Sequence, residues 1–189
     1  MAQPTDPELQ AWIEDAQQLA DSIQGLESLS TLQLRWRPGP GKWSITECVE
    51  HLTTTDRKAA SFWREPIARA RAAGLNGRGP YSLGWLGGWW LKQVGPNPSR
   101  PVSAPAIFTP SSTADPATVL ADFAAHQREL IATIESVDGL NLARIKARSA
   151  VTPLLRFNLA TWIRSALAHQ HRHFDQIERV RNHPDFPRE

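Results

Sequence analysis

Three of the chain's six histidines fall in one run: Ala168, His169, Gln170, His171, Arg172, His173, Phe174, Asp175, Gln176 and Ile177. His169 and His173 are four residues apart. On a helix that spacing puts them on one face, separated by a rise of about 6 Å. The rest of that face is apolar, with Leu159, Trp162, Ile163, Ala166, Ile177 and Val180 at mixed three- and four-residue steps. Imidazoles on a core-facing stripe need polar partners. A metal ion satisfies two at once, and a hydrogen-bonded core pair is the other solution. The spacing leaves both open. His171 lies about 200° around the helix from His169 and is read as solvent-facing.

A third ligand would have to come from another segment. His51 sits three residues after Cys48 and beside Leu52, on the flank of a second apolar stripe. It completes a set of three if the two helices are neighbours, and is otherwise an ordinary half-buried histidine. Thr55 and Asp56, one turn further on, could hydrogen-bond a metal-bound water or an imidazole, or be polar surface. His126 leans toward the core of a third helix. It could be a fourth ligand or a group behind the ligands, but a packed core residue is the preferred reading. Gln176, seven residues after His169, shares its face. It would orient a ligand or bond a neighbouring backbone carbonyl. His183 lies beyond the last helix and is expected to be exposed, and Cys48 to be a small core residue. The zinc-protease pattern H-E-x-x-H fails, because Gln170 stands where that motif needs a proton-accepting Glu. No Ser-His-Asp or Cys-His arrangement stands out.

These residues need helices to position them, and the 189-residue chain supplies four long amphipathic segments. The first covers about 6–29. The second opens at Ser44, whose capping box with Glu47 follows Trp43, and fades by Gly74. The third starts with Asp115 as cap and Pro116 in the first turn, and ends at Asp138 and Gly139. The fourth starts near Asn158, after Pro153, and runs to about Arg181. No strand alternation is expected. The architecture predicted is an all-α four-helix bundle, one domain over 1–189. Residues 74–114 form a long Gly/Pro/Trp-rich connection between the second and third helices. A short helix is expected near 83–93, followed by extended chain through Pro96, Pro98, Pro101, Pro105 and Pro110.

Composition closes off several functions. Net charge is only +2. The cluster Arg144, Lys146 and Arg148 reads as a solvated loop, so no nucleic-acid partner is expected. A single cysteine forbids an intrachain disulfide and suits a reducing compartment. Residues 1–7 show no signal-peptide pattern, and the apolar run 83–91 is too short to span a bilayer. A cytoplasmic location without a membrane partner is expected. Eight tryptophans are many for this length. Packing accounts for most, and Trp85, Trp89 and Trp90 could cover a pocket.

Three motifs together resemble the DinB/YfiT-like superfamily of metal-binding four-helix bundles. Trp43, Ser44 and Glu47, followed by His51 and Leu52, are similar to its helix-two motif. Residues 105–110, with Ala106, Ile107 and Phe108 between prolines, resemble its apolar strand before helix three. His169, His173, Gln176 and Ile177 resemble its helix-four motif. The resemblance implies that His51, His169 and His173 hold a divalent metal, usually zinc or nickel, although three imidazoles alone also suit copper or iron. It implies a small-molecule substrate and either metal-dependent hydrolysis or transfer of a low-molecular-weight thiol to an electrophile. It also implies a homodimer. The insertion at 74–114 matches none of its motifs. A metal- or ligand-binding module without catalysis stays open, because no assured general base lies near the three histidines.

Overall fold

A computed structural model describes residues 4–98, 104–111, 113–152 and 154–188. Helix α1 (Pro7–Glu27) starts at Asp6, whose side chain caps the Glu8 N–H. The same carboxylate accepts from Gly79 N and from the Tyr81 hydroxyl, both at 2.7 Å, so the cap also ties down the later connection. After the short α2 (Thr31–Arg35), α3 (Ile45–Ala60) begins with the expected Ser44–Glu47 capping box. Helices α4 (Arg64–Ala72) and α5 (Gly84–Val94) follow, then a single 3-10 turn at Ala106–Phe108. Helix α6 (Pro116–Ser136) is capped by Asp115 and α7 (Leu159–Arg181) by Asn158. The chain is all-α in class. Helix α1 packs on α6, α6 on α3, α3 on α7 and α7 on α1, which closes the four-helix ring.

The apolar interior is split in two. One cluster holds Leu9, Trp12, Leu130, Ile134, Ile163 and Leu167, and the other holds Ile23, Leu52, Phe123, Ile177 and Val180. On three helices polar residues separate the two. Asp56 follows Leu52 on α3, His126 and Gln127 lie between Phe123 and Leu130 on α6, and Gln170 and His173 lie between Leu167 and Ile177 on α7. All five are buried. An unpaired buried polar group costs about 1–3 kcal/mol, so this layer is stable only where its members satisfy one another or a ligand.

Four expectations are corrected. The second predicted helix breaks after Ala60: Phe62 N and Trp63 N bond Ala59 O and Ala60 O in a tight turn that buries Trp63 in the core. The stretch before α6 is a 3-10 turn rather than a strand, because Phe108 N and Thr109 N bond carbonyls three residues back. Strands β1 (Lys146–Arg148) and β2 (Arg156–Asn158) form an antiparallel hairpin where a linker was expected, with Ala147 opposite Phe157. His183 is not free in solvent but rests against Trp36, ring centroids 5.2 Å apart. Lys146 and Arg148 are exposed, as expected, but on β1. Pro101, Pro153 and residues 1–3 lie outside the described residues. Among the described residues no helix is long and apolar enough to cross a membrane.

Candidate metal centre

The Ser44 cap fixes the start of α3 and so places His51 at the end of its second turn, facing α7. Helix α7 brings His169 and His173 to the same point. One ring nitrogen from each of the three imidazoles lies within 4.8 Å of the others. The Nε2 atoms of His169 and His173 are 3.2 Å apart. His51 Nδ1 lies 2.8 Å from the Phe108 carbonyl oxygen. A carbonyl only accepts, so neutral His51 carries its proton on Nδ1 and keeps Nε2 as a bare lone pair. This is what the 3-10 turn contributes: a carbonyl aimed at α3.

Burial disfavours the charged form of all three rings. Desolvation is the main cause for His51, opposed by the Phe108 bond and Asp56. His169 falls well below its ordinary value of 6.5 through burial and then through His173 and His51. His173 is lowered to about 3, chiefly by burial, then by His51 and Arg172. The trio is therefore neutral at pH 7, which is the form that donates to a metal. The half-buried Trp43 walls the group, its ring 4.8 Å from His51 and stacked on His173 at 5.9 Å.

Behind the imidazoles lies the polar layer. Asp56 Oδ1 is 4.0 Å from His169 Nδ1, and Oδ2 accepts from Gln170 Nε2 at 2.7 Å. Gln170 also donates to Gln127 Oε1 at 3.1 Å, and Gln127 donates to the Ala16 carbonyl. His126, 2% exposed, stays outside the trio, with Nε2 3.8 Å from Asp56 and neither ring nitrogen hydrogen-bonded. Gln176 is half-buried beside His173. It pulls that ring's pKa upward, yet His173 Nδ1 has no partner of hydrogen-bond geometry. Thr55 Oγ1 is buried without a hydrogen bond. Cys48 is fully buried, and burial pushes its thiol up to about 12, so it packs and does not react. His171 turns away to bond Asp15 at 2.6 Å.

Sequence reasoning brought His51, His169, His173 and Asp56 to this region but passed over three participants. Gln170 continues the core stripe of Ile163 and Ala166, and Gln127 that of Phe123 and Leu130, so both were visible as polar breaks in apolar faces. Trp43 was noted only beside the capping box and in the helix-two motif, without a place at the site.

The donor set suits a divalent cation. Three neutral imidazoles converge, with the outer edge of His51 bonded to a carbonyl and that of His169 turned to a carboxylate, as ligating histidines require. Their cluster is compatible with divalent metal binding. Compared with models of protein families, residues 13–177 match the DinB superfamily. Neither curated proteins nor solved structures give a match. With the match spanning most of the chain and the three imidazoles in one place, the chain belongs to the DinB superfamily.

Proposed function

We propose that His51, His169 and His173 hold one divalent cation, zinc or nickel, and that the protein transfers a low-molecular-weight thiol onto a small electrophile. The observation that carries this is the convergence of three neutral ring nitrogens from two helices. Three protein ligands leave a coordination position open, the mark of a reactive rather than a closed site. A cation in such a set acts as a Lewis acid and lowers the pKa of a thiol or water that meets it. The Phe108 carbonyl holds His51 in the donating tautomer, Asp56 faces the Nδ1 edge of His169, and Trp43 walls the site. The reaction forms an S–C bond, the leaving group departs with its bonding pair, and the thiol proton goes to solvent.

Hydrolysis is the second reading. Asp56 weighs against it, because its carboxylate faces the Nδ1 edge of His169, away from Nε2. It orients the ring and is not placed to take a proton from a group on the ligand side. The test is a panel of electrophiles with cellular thiols beside a panel of esters and amides, run with metal-loaded and chelated protein. Thiol consumption that requires the electrophile and disappears on chelation or in His51→Ala is the expected result. Ester or amide cleavage without thiol would replace transfer by hydrolysis. Silence in both panels from metal-loaded protein would reduce the site to a binding module.

A further inference from the structure

Helix α5 carries two of its three tryptophans, Trp85 and Trp89, on the outside. Trp85 is 85% exposed, and Leu86 and Trp89 are exposed beside it. The opposite face is seated firmly. Trp90 packs 5.6 Å from Phe157 and 6.2 Å from Trp162, and a Cβ on Gly87 would come within 2.8 Å of Thr161 Oγ1. The hairpin adjoins the start of α5, where Asn158 Nδ2 donates to the Ser82 carbonyl at 2.8 Å. Its connecting loop adds Val151 and Leu154, the latter 93% exposed. Most of the large apolar side chains exposed among the described residues sit on these two neighbouring elements. Helix α5 has no polar stripe of its own, since only Lys92 and Gln93 interrupt GWLGGWWLKQV.

The two chain segments that build this face carry charge of one sign, and the nearest carboxylates, Asp6 and Glu8, are tied up by Gly79 N, Tyr81 N and the Tyr81 hydroxyl just before α5. None of the chain's 19 acidic residues falls within 66–114 or 139–174, the two segments that contain α5 and the hairpin. Lys92, Lys146, Arg148 and Arg156 are exposed there. We infer that α5 and the β1–β2 loop form a docking face for an anionic lipid bilayer surface, with the indoles at headgroup depth and the cations on the lipid phosphates. Exposed Trp and Leu flanked by Lys and Arg are what an interfacial helix requires, and lying on a bilayer needs no spanning length. The same charge disfavours a second copy of the chain, because an isologous contact would set cation against cation. A nucleic acid would use the cations and stack on the indoles, but leaves Leu86, Val151 and Leu154 without a role.

The test is co-sedimentation of the full chain with phosphatidylcholine vesicles, with and without phosphatidylglycerol, read also by tryptophan emission. Binding to the anionic vesicles with a blue shift is expected, weakened about tenfold or more when salt rises from about 0.05 to about 0.5 M. Trp85→Ser with Trp89→Ser should lower binding about tenfold while leaving far-UV circular dichroism unchanged. Lys146→Glu with Arg148→Glu should abolish the preference for anionic lipid. The inference is overturned if the wild-type chain ignores anionic vesicles or if the tryptophan variant binds them equally. It is also overturned if the chain is a dimer that this variant dissolves, or if a nucleic acid binds the face and vesicles do not.

Discussion

The Phe108 carbonyl fixes the proton of His51 on Nδ1, and that bond decides which edge of the ring is left for a ligand. Asp56 faces the Nδ1 edge of His169 from 4.0 Å, too far for a hydrogen bond, and leaves the Nε2 edge toward the other rings. The i, i+4 pair on α7 was readable from spacing. The role of Phe108 was not, because a backbone carbonyl has no sequence signature, and Gln170 was visible only as a polar break in a stripe, because its partners Asp56 and Gln127 lie on other helices. Asp56→Asn keeps the volume and an acceptor for Gln170 but removes the charge behind His169. It should raise the metal dissociation constant about 10- to 100-fold, measured by chelator competition, with the fold intact by circular dichroism. The depressed imidazoles also set a pH dependence for the metal-free protein. At pH 7 the three rings are neutral in the folded chain and mostly neutral in the unfolded one. As pH falls below 6.5 the unfolded chain takes up protons that the folded site refuses, down to about 3 for His173. Stability by urea titration should therefore fall between about pH 6.5 and 5, above the carboxylate range. A variant carrying His169→Gln and His173→Gln should lose most of that slope.

At the scale of elements, three caps were legible because each is a short local pattern: Ser44 with Glu47, Asp115 before Pro116, and Asn158 at the start of α7. The hairpin was missed because its alternation covers only Lys146, Ala147 and Arg148, and its pairing with residues 156–158 is not local. The break after Ala60 was missed because the apolar spacing continues through Trp63 and Ile67, although the backbone turns so that Trp63 can enter the core. Packing of α5 onto α7 depends on Gly87. Gly87→Ala, with its methyl group 2.8 Å from Thr161 Oγ1, should cost about 1–3 kcal/mol in urea unfolding despite the better helix propensity of alanine. The Ser44 cap holds the turn that carries His51, and Ser44→Ala should cost about 1 kcal/mol.

The whole molecule is a ring of four helices whose apolar interior is divided by a polar layer, and the three imidazoles lie at one end of that layer where α3 meets α7. A cation held there would bind the folded chain and not the unfolded one. Metal at about 100 times its dissociation constant adds about 2.7 kcal/mol, so chelation should lower Tm by about 5–10 °C. The four-helix class and the polar breaks in its apolar stripes could be read along the chain. The division of the core into two clusters could not, because it depends on which turns of α3, α6 and α7 lie level with one another. Metal analysis of the purified full chain is the most direct test of the central claim. The account predicts about one divalent ion per wild-type chain and loss of nearly all of it when His51, His169 and His173 are all replaced by alanine. Full metal content in that folded triple variant would contradict it.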